Sequence, residues 1–159
     1  MTSLDHRSGA EILAEACPFG SYGPENTLRA AELAAEAIRY LNHATSWDAA
    51  QALPDPGACD SLVGHLQTLT SRLPQLLRQV ATVTNRQAAD PRLEVDNACT
   101  DRDAADTATR AAECLADAAG SVGPLTSRLS EANTDLSRLY LSTPASSTDA
   151  DQADLTDGW

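Results

Sequence analysis

Lysine is absent from this 159-residue chain, so all eleven basic side chains are arginine, and aromatic residues are few: one Phe, two Trp and three Tyr. The missing lysine, beside an abundance of Ala, Asp and Arg, matches high-GC codon usage. The shortage of aromatics excludes an aromatic core and leaves Leu, Val and Ala to build one. No apolar run reaches membrane-spanning length, and Met1 to Gly20 holds no apolar core of signal-peptide length, so the expected location is the cytoplasm. The four cysteines (Cys17, Cys59, Cys99, Cys114) have neither CxxC spacing nor the density of a disulfide scaffold. They read as reduced thiols, with Cys59 a small core residue. The three histidines (His6, His43, His65) are dispersed and pair with no cysteine as zinc would require. Glu11/Glu15 and Glu32/Glu36 are carboxylate pairs one turn apart, but no Glu-x-x-His follows them as in a di-iron bundle. No nucleophile elbow, phosphate loop or Cys/His catalytic signature is present. Neither a metal nor any other cofactor is expected.

Positive charge is also in short supply. The formal net charge is −12, which repels phosphate and disfavours direct contact with nucleic acid or an anionic membrane. Residues 57–92 are the exception, with Arg72, Arg78, Arg86 and Arg92 against Asp60 and Asp90. Residues 101–141 lean the other way, seven acids facing four arginines.

What the chain does have is heptad order. One ladder runs Cys59, Leu62, Leu66, Leu69, Leu73, Leu76, Val80, Val83; the other runs Ala104, Ala108, Ala111, Leu115, Ala118, Val122, Leu125, Leu129, Ala132, Leu136, Leu139. Steps of three and four alternate strictly, which puts each set on one seam of an α-helix. Two seams joined by a short connection predict an antiparallel hairpin. Upstream, Ser8-Gly-Ala-Glu11 has capping-box spacing and opens a short helix that should end at Cys17, ahead of Pro18. Pro24 suits the first position of a helix running to about Ala44, with Leu28, Ala31, Ala34, Ala35, Ile38 and Leu41 on one side. Residues 45–56 read as a connection. Asp55 can cap a second long helix that ends near Ala88, and Thr100 a third that reaches about Leu141. At 1.5 Å per residue the last two span about 45 and 60 Å, and the N-terminal helices laid end to end match them.

The expected fold is therefore all-α, an antiparallel bundle of three long helices plus a short N-terminal helix. The bundle occupies residues 1–143, and 144–159 form a disordered acidic tail. Pro74 and Pro124 interrupt the second and third helices without disturbing the ladder phase. They and Gly64, Gly120 and Gly123 fall on outward heptad positions, so kinked but continuous helices are expected, with a break near Gly120 as the competing layout. The pentapeptide Leu69-Thr-Ser-Arg-Leu73 recurs as Leu125-Thr-Ser-Arg-Leu129, an echo that shared heptad demands explain.

Arg39-Tyr-Leu-Asn-His-Ala-Thr45 and Leu73-Pro-Gln-Leu-Leu-Arg-Gln79, some thirty residues apart and followed by an Ala-rich helix, resemble small helical proteins of unknown function from high-GC Gram-positive bacteria. The resemblance covers about residues 25–141. It implies an all-helical fold and an intracellular accessory role, and it carries no activity and no site residues.

Three classes of function follow. The leading one is a non-enzymatic protein–protein interaction or regulatory protein with an unidentified protein partner. Its contact residues would be the outward Gly64, Gly120 and Gly123, whose pairing would make a homodimer, and the tail residues Asp154, Leu155, Asp157 and Trp159. In that tail the indole would enter an apolar pocket while the acids meet Arg or Lys. The second is an acidic nucleic-acid mimic or immunity-type inhibitor of a basic nuclease, toxin or repressor, which needs continuous rows of carboxylates. The third is an enzyme using Arg39 and His43, which share a helix face with Tyr40 beside them and Trp47 following. Helical ribonucleases of the HEPN type separate their Arg and His by four to six residues; only three intervene here. A helix end, with His43 on the dipole and Trp47 covering it, is the reading preferred for that cluster.

Overall fold

The computed structural model describes residues 7–96 and 103–142. The chain divides into two compact units, Met1–Pro54 and Asp55–Trp159. Every regular element among the described residues is an α-helix.

In the first unit, helix α1 (Gly9–Ala16) carries the capping box read from its sequence. The Glu11 backbone N–H donates to Ser8 Oγ at 3.2 Å, and the Ser8 N–H donates to the Glu11 carboxylate at 2.6 Å. Cys17 caps it ahead of Pro18, and the following turn uses Gly20 at φ 92°, a left-handed conformation that glycine adopts without steric cost. Helix α2 (Pro24–Trp47) starts with proline in its first turn and runs past the expected end at Ala44. Within this extra turn the Thr45 hydroxyl donates to the Leu41 carbonyl at 2.8 Å. A single turn, α3 (Ala49–Ala52), then forms inside the segment expected to be only a connection. Its Ala-Ala-Gln-Ala composition favours helix, and Leu53 before Pro54 ends it.

The second unit is a hairpin of α4 (Pro56–Gln87) and α5 (Ala104–Leu136). Asp55 caps α4, its carboxylate accepting from the Ala58 N–H at 2.8 Å. The cap of α5 is Asp103, accepting from the Asp106 N–H at 2.7 Å, and not Thr100, which lies outside the described residues. α5 closes at Leu136 rather than Leu141. Both helices pass through their prolines unbroken, so the layout with a break near Gly120 does not occur. Each ring removes one N–H, leaving the carbonyls of Thr70 and Gly120 without their usual intrahelical donors.

The seam between the helices has the expected period and a different phase. On α4 the unbroken run of buried and half-buried positions is Asp60, Val63, Gln67, Thr70, Pro74, Leu77, Ala81 and Thr84, each one residue after a member of the apolar ladder, of which Cys59, Leu62, Leu66 and Leu73 are half-buried and Leu69, Leu76, Val80 and Val83 exposed. On α5 they are Ala108, Ala112, Leu115, Ala119, Val122, Thr126, Leu129, Asn133 and Leu136, so alternate members of the expected ladder are replaced by their successors. The side chains buried most fully among the described residues are Thr70, Ala81, Ala112 and Ala119. Small residues let the backbones approach closely, and leucine at those positions would hold them apart. Two expectations are corrected by this shift. Pro74 lies half-buried on the seam, not on the outer surface. Gly64 also turns inward, for a methyl group added there would sit 3.2 Å from Asn133 Oδ1 of α5. The outward placement of Gly120, Gly123 and Pro124 holds.

Candidate interaction surface

The phase of the seam decides where the leucines go. Gly64 faces Asn133 near one end of the hairpin, and Ala81, Thr82 and Asn85 share a groove with Thr109, Ala112 and Glu113 near the other, so the helices run antiparallel. In such a pair the residue preceding each seam position projects to the same side on both helices, because reversing one helix also reverses its sense of rotation as seen along the pair. On that side α4 presents Leu62, Leu66, Leu69, Leu73, Leu76, Val80 and Val83, and α5 presents Ala111, Ala118, Leu125 and Ala132. Leu76 is 54% exposed, Val83 51% and Leu125 52%. The opposite side is polar: the groove there, about 600 Å³, is walled by Arg78, Thr82, Asn85, Thr109 and Glu113 above a floor of Ala81 and Ala112. The hairpin is thus two-faced, with Leu69, Leu76, Val80, Val83 and Leu125 left exposed on the apolar side.

Polar atoms gather where Asp60 and Asn133 enter the seam. Asp60 Oδ1 and Asn133 Oδ1 are both shielded from solvent without a protein hydrogen-bond partner. A buried polar atom without a partner costs stability, so this end of the seam is its less favourable part.

The cluster at Arg39, Tyr40, His43 and Trp47 lies on α2. Tyr40, His43 and Trp47 border an open hollow of about 620 Å³ with Asp48, Gln51 and Ala52, while Arg39 is turned to Glu36 at 2.6 Å. Trp47 is 86% exposed and does not cover the helix end as expected. Among the described residues no three His, Cys, Asp or Glu side chains cluster as a metal site. Glu11 is used in the α1 cap and Glu15 pairs with Arg7.

Several arginines pair with nearby carboxylates. Arg29 pairs with Glu25 at 2.8 Å, Arg128 with Glu131 at 2.7 Å and Arg138 with Asp135 at 3.5 Å, each within one helical turn. Two carboxyls sit below their ordinary range. Glu11 is lowered by the Ser8 backbone N–H and then by the Ser8 hydroxyl. Asp90 is lowered by the Arg92 guanidinium and backbone N–H, and Arg92 is raised in return.

Gly120 and Gly123 stand in open space on α5, away from the leucine stripe. Asp154, Leu155, Asp157 and Trp159 lie outside the described residues. No helix among the described residues is long and apolar enough to cross a membrane. Comparison with family models, with curated proteins and with solved structures finds no match for this chain.

Proposed function

We propose that this protein is a non-enzymatic interaction module whose working part is the apolar face of the α4–α5 hairpin. The single observation behind this reading is the uncovered stripe of Leu69, Leu76, Val80 and Val83 on α4 with Leu125 on α5. A hairpin needs only one seam to pair its helices; a second apolar ladder beside the first suits a helix with a further neighbour, as in a bundle. A further helical layer on this face would make the hairpin part of a bundle. Burying each leucine of the stripe contributes on the order of 1.5–3 kcal/mol, which favours a covered over an uncovered face.

The test is affinity purification from the host with three forms of the full-length chain, followed by mass spectrometry. The native chain and the polar-face variant Thr82→Glu should recover the same protein, and Leu76→Glu should lose it. Equal recovery by all three, or no specific recovery by any, overturns the proposal. A fourth form lacking residues 144–159 measures the contribution of the acid-aromatic tail.

A further inference from the structure

We infer that the surface covering this apolar face is the same face of a second copy of the chain. Two hairpins stack about a two-fold axis parallel to their helices, so that α4 of each copy lies along α5 of the other. The inference rests on the interaction reading above and names its partner.

Side-chain size is the first support. The face is lopsided: α4 supplies Leu66, Leu69, Leu73, Leu76, Val80 and Val83, whereas α5 supplies one large apolar residue, Leu125, with Ala111, Cys114, Ala118 and Ser121 over the matching length, all five of them exposed. Stacking α4 on the second copy's α5 sets large residues against small ones from Leu73 to Val83, with Leu69 meeting Leu125, an arrangement that fills most of a core without voids or crowding. Stacking α4 on α4 would oppose leucine to leucine on one side and leave alanine facing alanine on the other.

Charge points the same way. α4 carries Arg72, Arg78 and Arg86 against Asp60, and α5 carries Asp106, Glu113, Asp117, Glu131 and Asp135 against Arg110 and Arg128. In the proposed stack every helix neighbours one of opposite net sign; like-on-like stacking would bring two positive helices together and two negative ones. Area is sufficient as well. From Leu62 to Val83 the stripe is about 32 Å long at 1.5 Å per residue, and two helices about 10 Å wide give roughly 600 Å² per copy. The total of about 1,200 Å² sits at the lower end of specific interfaces. Helix α2 is a poorer occupant, since its apolar side offers only Leu28, Ile38 and Leu41 among alanines.

Sedimentation of the full chain from about 1 to 200 μM tests the inference, a span of concentration suited to an interface of this size. The native chain and Thr82→Glu should move from the 16.7-kDa monomer to twice that mass as concentration rises, and Leu76→Glu should stay monomeric. Orientation is read by disulfide trapping with Cys17, Cys59 and Cys99 changed to Ser. Val83→Cys with native Cys114 should give a covalent dimer under mild oxidation, and neither thiol alone should. A covalent dimer from Val83→Cys without Cys114, or a dimer indifferent to Leu76→Glu, overturns the stack. A native chain monomeric throughout, with Leu76→Glu lowering its melting temperature, shows the face covered without a second copy and overturns it too. If the native chain is monomeric but Leu76→Glu still loses a captured host protein, the dimer fails and the interaction reading stands.

Discussion

Gly120 and Gly123 are three residues apart on the exposed side of α5, yet the structure predicts that they respond differently to alanine. Both sit inside a continuous helix, neither has positive φ, and a Cβ built at either meets nothing within 4 Å beyond its chain neighbours. Alanine in an exposed helix interior is favoured over glycine by about 0.8–1.0 kcal/mol, partly because it restricts the unfolded chain. Gly120→Ala should gain that amount, a rise in melting temperature of about 4–8 °C for a unit the size of this hairpin. Gly123 has one neighbour that Gly120 lacks, the ring of Pro124. A Cβ on the residue before proline collides with the ring when the backbone is helical, so most of the gain at position 123 should be lost. Removing the ring should restore it: in a Pro124→Ala background, Gly123→Ala should gain about 1 kcal/mol. Urea denaturation followed by circular dichroism on the four members of this cycle gives the coupling directly. Equal gains at position 123 with and without Pro124 would refute the reasoning. A loss of stability in Gly120→Ala would show that this face is packed against something. Because both glycines lie away from the leucine stripe, the same variants should self-associate like the native chain.

Three further outcomes are expected. Pro124→Ala should stabilise the hairpin by up to about 3 kcal/mol, since it restores a backbone hydrogen bond at an exposed site. Pro74→Ala should gain less, because the ring it removes is half-buried on the seam; thermal denaturation of the pair decides the order. Asp103→Ala removes the carboxylate that caps α5 and should cost about 1 kcal/mol, read from urea midpoints, while Asp103→Asn retains most of the capping. The carboxyl of Glu11 is held below its ordinary value by the Ser8 backbone N–H and hydroxyl. Its contribution to α1 is therefore complete above the unfolded glutamate range, about pH 4.3, and is lost as pH falls through the lowered folded value. Carbon-detected NMR titration of Glu11 should show the lowered midpoint, and Ser8→Ala should raise it.

Helix existence and most helix starts were legible because their causes are local. Ser8 and Glu11 exchange hydrogen bonds across three residues, Pro24 and Pro56 occupy first-turn positions, and Asp55 reaches its own N2–N3 turn without help from elsewhere. α5 is capped by Asp103 instead of the expected Thr100, three residues later than its sequence suggested. α3 was missed because four helix-favouring residues lie between turn formers. In the Arg39 cluster, spacing put the side chains on one helix, but only the structure showed Arg39 drawn to Glu36 and Trp47 left bare.

The period of the apolar ladders by itself determined that two long helices would pair, since a 3-4 rhythm is a property of the chain read in order. Tertiary structure alone decided the phase. A ladder marks which side chains leave water; it does not say which of two neighbouring ladders meets the other helix first. Close approach settled that in favour of Thr70, Ala81, Ala112 and Ala119, whose small side chains let two backbones draw together. The leucines, one residue away, were rotated by about 100° onto a shared face.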